Sequence, residues 1–150
     1  MYRTKTCSEL HTDPTGQKVV LSGWVKSKRE SKQIIFLDLC DSTGNIQLIL
    51  EDTALGHELF NSAEKITIES AIKASGTIKI NDLGYKEVQV NIFSIISLST
   101  KHYTPELRND FDIFDEKYID QMLSNRRLYI RNRKKVPAYL SKISKYITIQ

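Results

Sequence analysis

Two cysteines, Cys7 and Cys40, are all that 150 residues contain, and they do not have the spacing of a metal site. With Cys40 inside a strand pattern, a reduced, cytosolic setting is the simplest expectation. Histidine is scarce as well: His11, His57 and His102 fall on three different segments, so neither a catalytic cluster nor a set of metal ligands is expected from them. No glycine-rich phosphate loop and no nucleophile motif appears, which argues for a chain that binds without catalysing and holds no cofactor of its own. The opening MYRTKTCSEL lacks the apolar run of a signal peptide, and no stretch approaches the ~20 apolar residues of a membrane span. A soluble, intracellular protein with no membrane partner is therefore expected.

Acidic residues are missing from one region. Residues 1–101 carry 12 basic and 12 acidic side chains, whereas residues 102–150 carry 10 and 6. Between 124 and 145 there are eight cations, among them Arg126, Arg127 and Arg131, and no carboxylate. Such a stretch suits contact with phosphates, and it suits a solvated helix face equally well. With 40% hydrophobic residues, the chain has material for one domain with a real core plus an appendage.

The stretch that organises the rest is 34–51, IIFLDLCDSTGNIQLILE. Its apolar alternation predicts two strands joined at Asp41 to Gly44, with Cys40 opposite Asn45, Asp38 opposite Gln47 and Phe36 opposite Ile49. One face collects Ile35, Leu37, Leu39, Ile46, Leu48 and Leu50 and must be the core face. The other carries Phe36, Asp38, Cys40, Asn45, Gln47, Ile49 and Glu51. Phe36 is anomalous there, a large ring on the polar side, with Gln47 as diagonal neighbour at roughly 7 to 8 Å. A flat ring beside an amide can stack a base and read its edge.

Upstream, 19–28 reads as a strand with Val19, Leu21, Gly23 and Val25 on one face and a bulge or bend at Gly23. It leads into Lys26, Lys28, Arg29 and Lys32 around Glu30, cations that could hold the backbone of a single strand beside Phe36. Downstream, Leu55, Leu59, Ala63 and Ile66 predict a helix over 54–66. A strand with Ile72, Ala74, Gly76, Ile78 and Ile80 inward follows, then a turn at 81–85. The last strand, 86–98, is expected to turn Val88, Val90 and Ile92 inward and Glu87, Gln89 and Asn91 outward. Five strands with a helix between the third and fourth is the order of the OB-fold, an all-β barrel with added helices that binds oligonucleotides on strands two and three. Domain boundaries are expected at 1–101 for the barrel and 102–150 for a mostly helical linker. In the linker, helices are expected over 115–123 and 136–147, and the apolar side of the second has no partner in view. That side reads as the start of a further domain cut inside a helix.

GWVKSKRESKQIIFLDLCDSTGNIQLIL, preceded by Tyr2-Arg3-Thr4 and Cys7-Ser8-Glu9-Leu10 and followed by Asn125 to Asn132, resembles the N-terminal anticodon-binding domain and linker of class II aspartyl- and asparaginyl-tRNA synthetases. The resemblance implies that Arg29, Phe36 and Gln47 read the middle anticodon base, a uridine, and that Glu87 also contacts the anticodon. Lys26, Lys28, Lys32, Arg126, Arg127 and Arg131 are candidate phosphate contacts. It implies a tRNA anticodon stem-loop as partner, and a parent enzyme, homodimeric through a catalytic domain absent here, that uses ATP and magnesium. The chain alone is expected to be a monomer. Where the family often has arginine this chain has Cys40. Arg29 to Lys32 leans towards the asparaginyl enzymes and the RT-x-x-C-S-E-L opening towards the aspartyl ones. The competing class is a free-standing single-stranded nucleic-acid-binding OB module, which would present several stacking rings where strands two and three offer one.

Overall fold

The computed structural model describes residues 3–100 and, in isolation, Ser124. The chain divides into two units, Met1–Tyr103 and Thr104–Gln150, and residues 3–100 belong to the first. The helices expected over 115–123 and 136–147, and Arg126, Arg127 and Arg131, lie outside the described residues.

After a short 3-10 turn at Glu9–His11 come β1 (Lys18–Ser31), β2 (Ile34–Cys40), β3 (Asn45–Glu51), α1 (Asp52–Leu55), α2 (His57–Glu64), β4 (Ala71–Ile80) and β5 (Lys86–Ser97). The strands close into a barrel in the order β1-β2-β3-β5-β4. The β2–β3 hairpin has the register its alternation dictates, with Phe36 opposite Ile49, Asp38 opposite Gln47 and Cys40 opposite Asn45. All six aliphatics of its inner face are buried. Removing each from water contributes about 1.5 to 3 kcal/mol, so a shift of one residue, which would expose the whole set, is strongly disfavoured.

Closure depends on β1, which is long because it serves two neighbours. Lys18 to Trp24 pair with β4, and Trp24 to Ser31 pair with β2. The register steps past Lys26, between Val25 opposite Leu39 and Ser27 opposite Asp38. The bulge thus lies three residues beyond Gly23, where the sequence pattern suggested it. Gly23 answers a different constraint: a Cβ there would sit 2.5 Å from the carbonyl oxygen of Cys40. The other closing seam is parallel, with Gln47 opposite Glu87 and Ile49 opposite Gln89.

The alternation of β5 differs from expectation in its second half. Ser75 pairs with Ile92 and Gly76 with Val90, so Asn91 is an extra residue and the strand changes phase. Ile92 consequently points outward, 59% exposed, and Phe93 takes the interior place. Gly76 stands at the bulge because a Cβ would run into the carbonyl of Gln89. Ile80, expected inside, is exposed at the end of β4. The turn after it is held by Asn81, whose Oδ1 accepts from the backbone N–H groups of Leu83 at 3.1 Å and Tyr85 at 2.9 Å. The expected single helix is two, separated by Gly56 at φ +82°. Leu55, Phe60, Ala63 and Ile66 join the core, and Leu59 packs only partly against it.

The N-terminal segment is tied to the β2–β3 turn through one carboxylate. Asp41 Oδ2 accepts from the Cys7 N–H at 2.9 Å, while Oδ1 accepts from the Thr43 hydroxyl and N–H, both at 2.7 Å, and from the Gly44 N–H at 3.0 Å. Burial alone would raise the Asp41 pKa, but the bonds from Thr43, Cys7 and Gly44 outweigh it and hold the carboxyl at about 2. Cys7 responds in the opposite sense, its thiol pushed up to about 12 by burial and then by the Asp41 charge. Because the folded-state pKa of Asp41 lies below the ordinary 3.8, its contribution to stability is complete above that value and is lost as pH falls towards 2. Asp41→Asn is expected to lower stability at pH 7 by about 2 to 3 kcal/mol and to flatten the acid limb below pH 4, measured by urea melts across pH.

Candidate nucleic-acid interface

The barrel's registers carry the outward side chains of four strands into rows. Arg29 faces Phe36, Phe36 faces Ile49, and Ile49 faces Gln89. Beside this row run Ser27, Asp38, Gln47 and Glu87, each opposite the next. With strands ~4.8 Å apart, each row spans about 14 Å, a surface of nucleotide size. Arg29, Phe36, Gln47 and Glu87, drawn from four strands, are therefore neighbours on one face.

Phe36 is half-buried, and the Arg29 guanidinium lies 5.5 Å from its ring centroid. That is cation–π range, so the ring is presented together with a guanidinium donor. In the second row the Ser27 hydroxyl donates to Asp38 Oδ2 at 3.0 Å, fixing that carboxylate. No hydrogen bond within the described residues engages the Gln47 amide. Its carbonyl and NH2 are thus available to a base edge. In the first row Gln89 Nε2 donates to Glu51 Oε2 at 2.9 Å, which leaves its carbonyl as the outward group.

Glu87 is buried and opposite both Gln47 and Lys79. Burial raises its pKa, the Asn81 side chain opposes that by hydrogen bonding, and the Asp82 charge adds to the rise. Asp38 and Glu87 make the middle of the face acceptor-rich. A phosphate there would meet two carboxylates, while the N–H groups of a base would be bonded. The cations sit at the rim: Lys26 is exposed at the bulge of β1, and Lys32 is exposed in the β1–β2 turn. Backbone at the rim and bases over the centre is the division of labour this charge pattern supports.

Lys28 has another use. Its phase is that of the inward residues, and its Nζ donates to the carbonyls of Glu64 at 2.6 Å and Ile66 at 3.0 Å and pairs with Glu30 at 2.5 Å. A cation on the last carbonyl of α2 and on that of Ile66 just beyond it satisfies groups that the helix end leaves without partners. The placement of Lys28 is structural, not at the rim as its position in the basic cluster suggested. Among the described residues no group of three or more His, Cys, Asp or Glu could hold a metal ion.

The sequence pattern did not single out Ile49, Asp38 and Gln89 as members of the site, nor Trp24, which is exposed on β1. The signal for Asp38 and Ile49 was present in the hairpin alternation. For Gln89 the outward alternation of the last strand was present too, but its place beside Ile49 comes from the parallel β3–β5 seam.

The tRNA anticodon model, described as an OB-fold nucleic acid binding domain, matches residues 19–98. The chain belongs to this family. It is 38% identical over 143 residues to the aspartate--tRNA(Asp/Asn) ligase of Pelagibacter ubique, covering 90% of this chain and 23% of that protein. The asparagine--tRNA ligase of Pyrococcus furiosus is 32% identical over 130 residues, 85% of this chain and 29% of that one. The crystal structure of asparaginyl-tRNA synthetase from Pyrococcus horikoshii is similar with a TM-score of 0.73 at 29% identity, over 91% of this chain and 31% of that chain. The chain thus spans less than a third of the length of these relatives. Family membership agrees with the closed barrel and with the helical insertion between the third and fourth strands.

The two roles of the β1 cations separate by mutation. Lys28→Met is expected to cost about 1 to 3 kcal/mol by stripping the Glu64 and Ile66 carbonyls of their partner, whereas Lys26→Met should leave the melting temperature within a degree or two. Thermal unfolding of both variants checks this.

Proposed function

We propose that this face binds the anticodon loop of a tRNA of the aspartate and asparagine group, with the middle base on Phe36. The observation that carries the reading is the shared outer face of Arg29, Phe36, Gln47 and Glu87 within a tRNA anticodon OB-fold. Stacking on an aromatic ring contributes about 1 to 3 kcal/mol for any base, so Phe36 supplies affinity and Gln47 the choice. The Gln47 amide can donate to a uracil carbonyl and accept from N3–H, while Arg29 donates only, to a carbonyl or a phosphate. Glu87 accepts from a neighbouring base, and Lys26 and Lys32 meet the sugar–phosphate backbone.

The parent protein is, on this reading, a cytoplasmic class II synthetase that charges tRNA with aspartate or asparagine, homodimeric through its catalytic part, with the present chain monomeric by itself. A related structure is complexed with asparaginyl-adenylate. ATP and magnesium are, on this reading, held by the part of the parent protein beyond this chain, which covers 23% of the Pelagibacter ubique relative. Arg126, Arg127 and Arg131 are proposed to reach phosphates from the segment after the barrel.

A free-standing single-strand binder is the second reading, favoured by the exposed ring of Trp24 outside strands two and three. Gln47→Ala separates the two. On the anticodon reading, wild-type chain prefers a stem-loop with uridine over cytidine in the middle position by about 1 to 3 kcal/mol, and the variant loses that preference while keeping most of its affinity. With Lys26, Lys32, Arg126, Arg127 and Arg131 engaged, log affinity should fall with log salt at a slope of about −3.5. Equal affinity for poly-dT and the stem-loop would favour the second reading.

A further inference from the structure

Trp24 is the single tryptophan of the chain, and it is 54% exposed although Leu21 and Val25 on the same strand are fully buried. Its opposite residue on β2 is Cys40, which faces Asn45 on β3. These three form another outer row, beyond the row of Ser27, Asp38, Gln47 and Glu87, on the same side of the sheet as Phe36. Cys40 is small, and its Sγ lies against the carbonyl of Asp41 at 3.5 Å, so it stands low between its neighbours. On the opposite flank Trp24 faces Ala71, also small. The indole is thus the tallest group in a shallow floor. Asn45, exposed, is two strand spacings or ~10 Å across from it. The row contains no carboxylate, and Lys26 is exposed at the adjacent bulge.

We infer that Trp24, Cys40 and Asn45 form a second base subsite, in which a nucleotide flanking the one on Phe36 stacks on the indole. The inference rests on the anticodon reading, since it assigns the neighbour of the middle base. Cys40 is four positions beyond Phe36 on β2, ~13 Å, so one base cannot use both rings. Each ring takes its own nucleotide, and a single-stranded loop whose bases are splayed apart satisfies both. Cys40 supplies the floor over which the base lies flat. The amide of Asn45 offers one donor group and one acceptor to its edge, as Gln47 does to the middle base.

A lone tryptophan reports this directly. With the full 150-residue chain, an anticodon stem-loop RNA labelled for anisotropy is expected to bind and to quench Trp24 emission, and an abasic residue at one of the two positions flanking the middle base should abolish the quenching. Trp24→Ala should weaken binding about tenfold and Trp24→Phe less than threefold. Emission unchanged at saturation, quenching insensitive to either abasic residue, or Trp24→Ala binding within twofold of wild type would each overturn the inference while leaving the anticodon reading intact. Failure of the stem-loop to bind by anisotropy would instead overturn the anticodon reading. Should Trp24→Ala fail to fold, emission of the wild-type chain decides.

Discussion

The strict inward–outward alternation of the β2–β3 hairpin is the constraint from which the rest of the barrel follows. Six aliphatic side chains on one face cannot stay in water, and with a period of two the intervening residues must all be displayed together on the other. Closure then extends that display: β1 passes from β4 to β2, β5 lies parallel against β3, and the outward row of each strand is aligned with the next. The proposed binding face is thus a by-product of the packing face. It needs no loop of its own to position Phe36, Gln47 and Glu87.

Two devices make such closure feasible. Bulges at Lys26 and Asn91 let β1 and β5 bend without losing their pairings, and glycines at 23 and 76 allow backbones to approach where a Cβ would collide with a neighbouring carbonyl. The N-terminal segment is secured to the turn by Asp41, an arrangement in which one carboxylate satisfies four donors. The resulting scaffold holds a centre rich in acceptors and a rim of lysines. That electrostatic layout favours bases over phosphates at the middle of the sheet.

Much of this was legible in the residues. The hairpin's register, its core face and the outward place of Phe36 follow from alternation alone, and the strand order with its helical insertion pointed to the OB-fold. What could not be read were features that depend on partners distant in the chain. The phase change of β5 exchanges Ile92 for Phe93, and it is visible only against the register with Gly76. Lys28 looked like its neighbours Lys26 and Arg29, but its target is a helix end nearly forty residues away. Gln89 and Glu51 meet across the parallel seam, and Asp41 finds Cys7 through tertiary folding. Trp24 was hidden in a family motif, where its alternation with Leu21, Gly23 and Val25 already placed it outside.

Adjacent residues of β2 are assigned separate duties, one towards the solvent face and one towards the core. Phe36→Ala and Leu37→Ala, each assayed for melting temperature and for affinity to an anticodon stem-loop, test this assignment most directly. Phe36→Ala is expected to melt close to wild type but to lose about 1 to 3 kcal/mol of RNA affinity, whereas Leu37→Ala should lose about 2 to 5 kcal/mol of stability by opening a cavity. A Phe36→Ala variant that unfolds as readily as Leu37→Ala, or that binds the stem-loop as well as wild type, would contradict it.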